Sequence, residues 1–125
     1  MVSDIRKKLI ELARLKTTWS YSQLNEQLGL GLNFKNDYDR GLIGEWLGEI
    51  SAYEFENKRP LLSALIIHKG GRREQGDGFY KLCEQLYGEN WQTLKADKNW
   101  ENSMIADCFT FWLHGDNYKL YKNDF

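Results

Sequence analysis

Residues 37–68 read DYDRGLIGEWLGEISAYEFENKRPLLSALIIH, and two periodicities in this stretch decide the fold. Leu42, Ile43, Trp46, Leu47, Ile50 and Tyr53 recur at helical spacing, which predicts an amphipathic helix. Glu45, Glu49 and Glu56 fall largely on another face, so the outside of that helix is acidic. Gly44 and Gly48 lie four apart inside it and cost helix propensity; the expectation is that they mark the close approach of another element. Pro60 ends the helical stretch, and LLSALIIH after it is an apolar run of strand length, read as a buried strand.

Working outward toward the N-terminus, Ser3 to Lys16 predicts a first helix with Ser3 as N-cap and Ile5, Leu9, Leu12 and Ala13 as its apolar stripe. Arg6, Lys7, Lys8 and Arg14 make its polar face basic. Thr18 to Tyr21 is β-prone, and Ser20 followed by Gln23 is a capping-box pattern that opens a second helix through Leu28. Gly29 and Gly31 suit left-handed caps behind it. Toward the C-terminus, GFYKLCEQLYG and NWENSMIADCFTFWLHG each show helical spacing and end at a glycine. The tail DNYKLYKNDF alternates around Tyr118 and Leu120, as a partner strand would. These elements amount to an α+β class: a helix-rich single domain over residues 1–125 with a small sheet on residues 61–68.

Composition agrees with a folded globular chain. Of 125 residues 42% are hydrophobic and 14% aromatic, and the net charge is −1, which excludes the disordered and fibrous classes. The N-terminal residues alternate charge with apolar side chains, so neither a secretory signal nor a membrane span is predicted, and the cytosol is the expected compartment. Cys83 and Cys108 lack the spacing of a zinc site or a disulfide framework and read as buried thiols. Core packing accounts for Trp46, Trp100 and Trp112.

The near-neutral total hides an uneven distribution. Asp37 to Glu56 carries six acids against one base, whereas Lys58 to Arg73 carries five bases and no acid. The acids Asp37, Asp39, Glu45, Glu49 and Glu56, interleaved with Tyr38 and Tyr53, suit a surface that meets a basic partner, because aromatics supply contact area and acids steer the encounter. A protein that masks a nucleic-acid-binding enzyme needs such phosphate-like charge.

The stretch IIHKGGRREQGDGFY (66–80) poses a separate question, since basic glycine-rich loops can cradle phosphate. A Walker loop requires GxxxxGK[ST]; Gly71 and Gly76 have the spacing, but Asp77 and Gly78 stand where Lys and a hydroxyl belong. Gly70 and Gly71 read as a turn, Lys69, Arg72 and Arg73 as a basic tip, and Asp77 as an N-cap for the helix at Phe79. No catalytic constellation, metal cluster or cofactor motif is found: Cys83 lies on an apolar helix face away from any base, and the acid pairs lack a His or Lys at usable spacing. The chain is therefore expected not to be an enzyme.

The order helix, TTWSYSQL, glycine turn, RGLIGEWL and Pro-led strand resembles the winged-helix DNA-binding domain of the alkylguanine-DNA alkyltransferases and alkyltransferase-like proteins, over about residues 17–64. The resemblance implies a winged-helix-like centre, with Tyr21 in place of the family's motif tyrosine and Arg40 in place of its base-flipping arginine. Leu61, Leu62 and Ser63 follow Pro60, so the family's reactive cysteine is absent and alkyl transfer is not carried over. Separately, RPLLSALIIHK…GDGFYKLCEQLYG is similar to a motif of small bacterial proteins that implies no mechanism. Two functions follow as expectations. The first is an immunity, antitoxin or inhibitor protein that neutralises a basic toxin or nuclease through the acidic helix. The alternative is a winged-helix nucleic-acid binder using Arg6, Lys7, Arg14, Arg40, Lys69, Arg72 and Arg73.

Overall fold

The computed structural model describes residues 2–68 and 76–124, so the basic tip Lys69, Arg72 and Arg73 and the turn Gly70–Gly71 lie outside the described residues. Its first helix, α1 (Val2–Arg14), buries Ile5, Leu9, Leu12 and Ala13, as the spacing predicts. Two expectations about it are corrected. Ser3 lies inside the helix rather than capping it, and Arg6 is buried among the apolar side chains instead of joining the basic outer face.

A short strand, β1 (Trp19–Ser20), runs directly into α2 (Tyr21–Gln27). Ser20 serves both elements. Its Oγ accepts from the Gln23 N–H at 3.1 Å while its own N–H donates to Gln23 Oε1 at 2.8 Å, so the capping box is formed and two orphan donors are satisfied. Gly29 then takes φ +61°, the left-handed region that favours glycine. Asn25 closes the loop behind it with bonds to both the N–H and the carbonyl of Leu32. Asn36 caps α3 (Asp37–Glu56), whose buried side is Ile43, Leu47, Ile50, Ser51 and Glu54.

After Pro60 the observed backbone departs from the predicted strand. Leu62–Leu65 form a 3-10 turn, and only Ile66–Ile67 pair, as β2, in parallel with β1 in the register Trp19↔Ile66 and Ser20↔Ile67. The turn is pinned by Ser51, whose Oγ lies 2.6 Å from that of Ser63 and accepts from the Ser63 N–H at 3.1 Å. The run is continuously apolar for a different reason from the one predicted. It sits between two cores: Leu62, Leu65 and Ile66 pack with Ile5, Leu9, Leu24, Ile50 and Trp112, while Leu61 and Ala64 pack with Phe79, Tyr80, Cys83 and Met104.

The remaining helices are α4 (Asp77–Tyr87), α5 (Trp91–Ala96), α6 (Lys98–Leu113) and α7 (Gly115–Tyr121). Gly88, at φ +78°, ends α4 with a left-handed cap. The short α5, started by an Asn90 side chain that accepts from Gln92 and Thr93, was not predicted. The tail is likewise corrected from strand to helix: α7 buries no residue fully, and cations hold its ring faces, with Arg14 over Tyr118 and Arg59 over Tyr121. Trp112 is fully buried and Trp46 and Trp100 pack against the cores. The architecture is a helix-rich α+β arrangement with, among the described residues, one small two-stranded parallel sheet. Among the described residues no helix is long and apolar enough to cross a membrane.

Candidate functional site

The predicted partner-binding residues separate into two groups. Tyr38, Glu45, Glu49 and Glu56 are spaced seven, four and seven positions apart, which at helical pitch places them within about 40° of one another. All four are exposed, Tyr38 by 74%. Glu45, Glu49 and Glu56 form no ion pair among the described residues. The other three are engaged internally: Asp37 pairs with Arg40, Asp39 accepts from the Asn33 N–H at 2.8 Å, and Tyr53 is half-buried with Arg59 over its ring at 5.3 Å. What α3 presents outward is thus one aromatic and three uncompensated carboxylates. Glu45 and Glu49, four apart, repel each other by a few tenths of a kcal/mol.

Gly44 and Gly48 do not mark a close approach within the chain, because a methyl group added at either would meet nothing within 4 Å. Gly44 instead borders a cavity of about 430 Å³ between the start of α2, the first turns of α3 and the start of α4. Tyr21 and His68 face each other across its wall, ring centroids 4.9 Å apart, and Phe34 meets Tyr21 edge-on at 6.4 Å. Burial raises the Tyr21 phenol above its ordinary pKa. Arg40 reaches this cavity from α3 while donating to the Phe34 carbonyl at 2.5 Å. Asp77 stands at the edge, its carboxyl held below the ordinary range by a hydrogen bond from Lys95.

Of the residues of the nucleic-acid alternative, the four that are described, Arg6, Lys7, Arg14 and Arg40, do not share one surface. Arg6 is only 1% exposed and belongs to a buried ion network. Its Nη2 and Nε reach the two oxygens of Glu54 at 3.1 and 3.4 Å, and its remaining donors satisfy the carbonyls of Tyr121, Lys122 and Asp124. Arg59 binds the same Glu54 at 3.0 Å and Asp124 at 2.9 Å. Burial works against the Arg59 charge, yet those hydrogen bonds prevail and raise its pKa. Lys7 and Arg14 do share a groove of about 570 Å³ with Lys122 and Tyr118, although Arg14 donates to the Trp112 carbonyl at 2.8 Å.

No thiol chemistry is assembled. Cys83 packs with Leu61 and Phe79, and burial pushes its thiol up to about 11. Cys108, also buried, is raised further and contacts the Leu61 carbonyl at 3.3 Å. Among the described residues no group of His, Cys, Asp and Glu could hold a metal ion. The buried Arg6–Glu54 pair was missed by sequence reasoning. A signal existed: Glu54 shares a helix face with Ile43, Leu47 and Ile50, and Arg6 shares one with Ile10 and Ala13. The chain matches no protein-family model, and comparison with curated proteins and with solved structures gives no significant match.

Proposed function

We propose that the protein is a non-enzymatic, cytosolic interaction module of the immunity or inhibitor kind, which engages a basic protein partner such as a toxin or nuclease through the outer face of α3. The observation that carries this reading is the row Tyr38, Glu45, Glu49 and Glu56, exposed along one side of a twenty-residue helix with no cation among the described residues paired to those three glutamates. Uncompensated acids of this kind accelerate encounter with a positive surface and reject negative ones, while an exposed tyrosine supplies contact area. The order of α1, β1, α2, α3 and β2 is read here as a winged-helix-like layout in which the third helix has exchanged a DNA-facing surface for an acidic one.

The test is capture from the native host by the wild-type protein and by the Glu45→Lys/Glu49→Lys variant, followed by reconstitution with the purified partner. A basic partner should be lost on charge reversal, and its affinity should fall as salt rises. Undiminished capture by the variant would sink the reading. The groove that gathers Lys7, Arg14 and Lys122 supports nucleic-acid binding as a second reading. Steeply salt-dependent, sub-micromolar binding of purified protein to DNA or RNA, abolished by Lys7→Glu/Lys122→Glu, would favour it over the first.

A further inference from the structure

The exterior carries a second charged face, opposite in sign to the outer side of α3. Lys7 and Arg14 stand seven positions apart on α1, which places them within about 20° of one another and about 10 Å apart along the helix axis. Lys122, just past α7, joins them across a groove that Leu15 also lines. Among the described residues none of these three cations is paired with an acid. Glu11 is the one carboxylate among the described residues of the groove, and Lys8 already meets it at 3.0 Å. Arg14 donates to the Trp112 carbonyl and lies over the Tyr118 ring. Both of those partners are neutral, so its charge is held in place without being cancelled.

The two faces agree in spacing as well as in sign. Tyr38 with Glu45, and Glu49 with Glu56, are also seven positions apart, so α3 laid beside α1 repeats its carboxylates at the interval of the cations. Each face also leaves one large apolar side chain in water, Tyr38 by 74% and Leu15 by 65%. Complementary charge around an aromatic and an aliphatic anchor is what a docking contact uses. Neither face can pair with itself across a two-fold axis, because like charges would meet there.

We infer that a second copy of this chain occupies the outer face of α3 through its α1–α7 groove, with Glu45, Glu49 and Glu56 against Lys7, Arg14 and Lys122. The contact is head-to-tail, so each assembly keeps one acidic and one basic face open and grows with concentration. The inference rests on the reading of α3 as a docking surface for a basic protein, and it finds such a partner in the chain itself.

Charge reversal on each face supplies the test. Sedimentation of purified, nucleic-acid-free protein at about 1 mM in about 20 mM salt should give a weight-average mass at least about 1.5 times that of the monomer, returning to the monomer in about 0.5 M salt. Glu45→Lys/Glu49→Lys leaves two basic faces and Lys7→Glu/Lys122→Glu two acidic ones. Each variant alone should be monomeric with native circular dichroism. Their equimolar mixture should associate again, because the first still offers the basic groove and the second the acidic helix. Tyr38→Ala, which changes no charge, should weaken wild-type association at least about threefold. The inference is overturned if the wild type stays monomeric in low salt, if either folded variant associates alone as the wild type does, or if mixing restores nothing. A monomeric wild type whose capture of another basic protein is still lost in Glu45→Lys/Glu49→Lys defeats this inference alone. Association restored by mixing, together with undiminished capture by that variant, supports it and defeats the proposed function alone.

Discussion

Arg6 and Glu54, 48 positions apart in the chain, meet in the interior as a two-point ion pair, with side chains 1% and 0% exposed. Two charges taken out of water cost several kcal/mol each, and the pair persists because every oxygen and nearly every nitrogen around it is hydrogen-bonded. Glu54 accepts from Arg6 and Arg59 together, and the tail of the chain supplies the remaining acceptors.

Removing the central carboxylate leaves two buried guanidinium groups facing each other. Glu54→Gln is expected to destabilise the fold by roughly 3 to 5 kcal/mol. Replacing the pair together, as Arg6→Met/Glu54→Leu, should cost less than Glu54→Gln alone. Urea denaturation of the three proteins checks both statements.

The tail contributes in two separable ways. Asp124→Asn removes only the contact to Arg59, in which the Asp124 side chain is 34% exposed, so a loss of about 1 kcal/mol is expected. Deleting residues 122–125 also takes the Lys122 and Asp124 carbonyls from Arg6. A buried charge without acceptors is costly, and the deletion should lower the melting temperature far more than the substitution does.

Helix α3 carries an avoidable penalty at Gly48, where an added methyl meets nothing within 4 Å. Gly48→Ala should therefore stabilise the protein by about 0.5 to 1 kcal/mol. Thermal denaturation measures it. Destabilisation would mean that another element packs on that face, as the sequence alone suggests.

Both cysteines should resist a thiol reagent at pH 8 in the native protein and react promptly in denaturant. The Cys83 thiol is raised from 9.0 to about 11 by burial, so the folded state holds its proton where the unfolded state releases it. Stability is then unaffected by this group below pH 9 and declines as pH rises from 9 toward 11. Ellman titration and denaturation at graded pH check the two halves.

The parts of the fold that depend on neighbours in sequence were legible. Ser20 and Gln23 announce the start of α2 because a capping box is written within four residues, and the period of Ile43, Leu47 and Ile50 announces α3. The parts that depend on distant residues were not. Leu61 to Ile67 read as a strand because a continuous apolar run looks alike whether it pairs on both edges or divides its side chains between two cores. Helix α7 has no fully buried residue to give it a period, and its docking relies on arginines more than fifty positions away. Of the outer face of α3, the acids at Glu45, Glu49 and Glu56 were visible in the letters. That Asp37 and Asp39 are spent locally was not, since it depends on side-chain geometry at the helix start.

The network around Glu54 also sets an order of assembly. Its members are residues 6, 54, 59 and 124, so during synthesis Arg6 and Arg59 wait for their last acceptors until residue 124 has emerged. A nascent chain that folds from its N-terminal end can form α1, the capping box of α2 and α3, but it cannot settle the charge at their junction. Closure of the native state is therefore a late event, coupled to the arrival of α7 rather than to the growth of either apolar core.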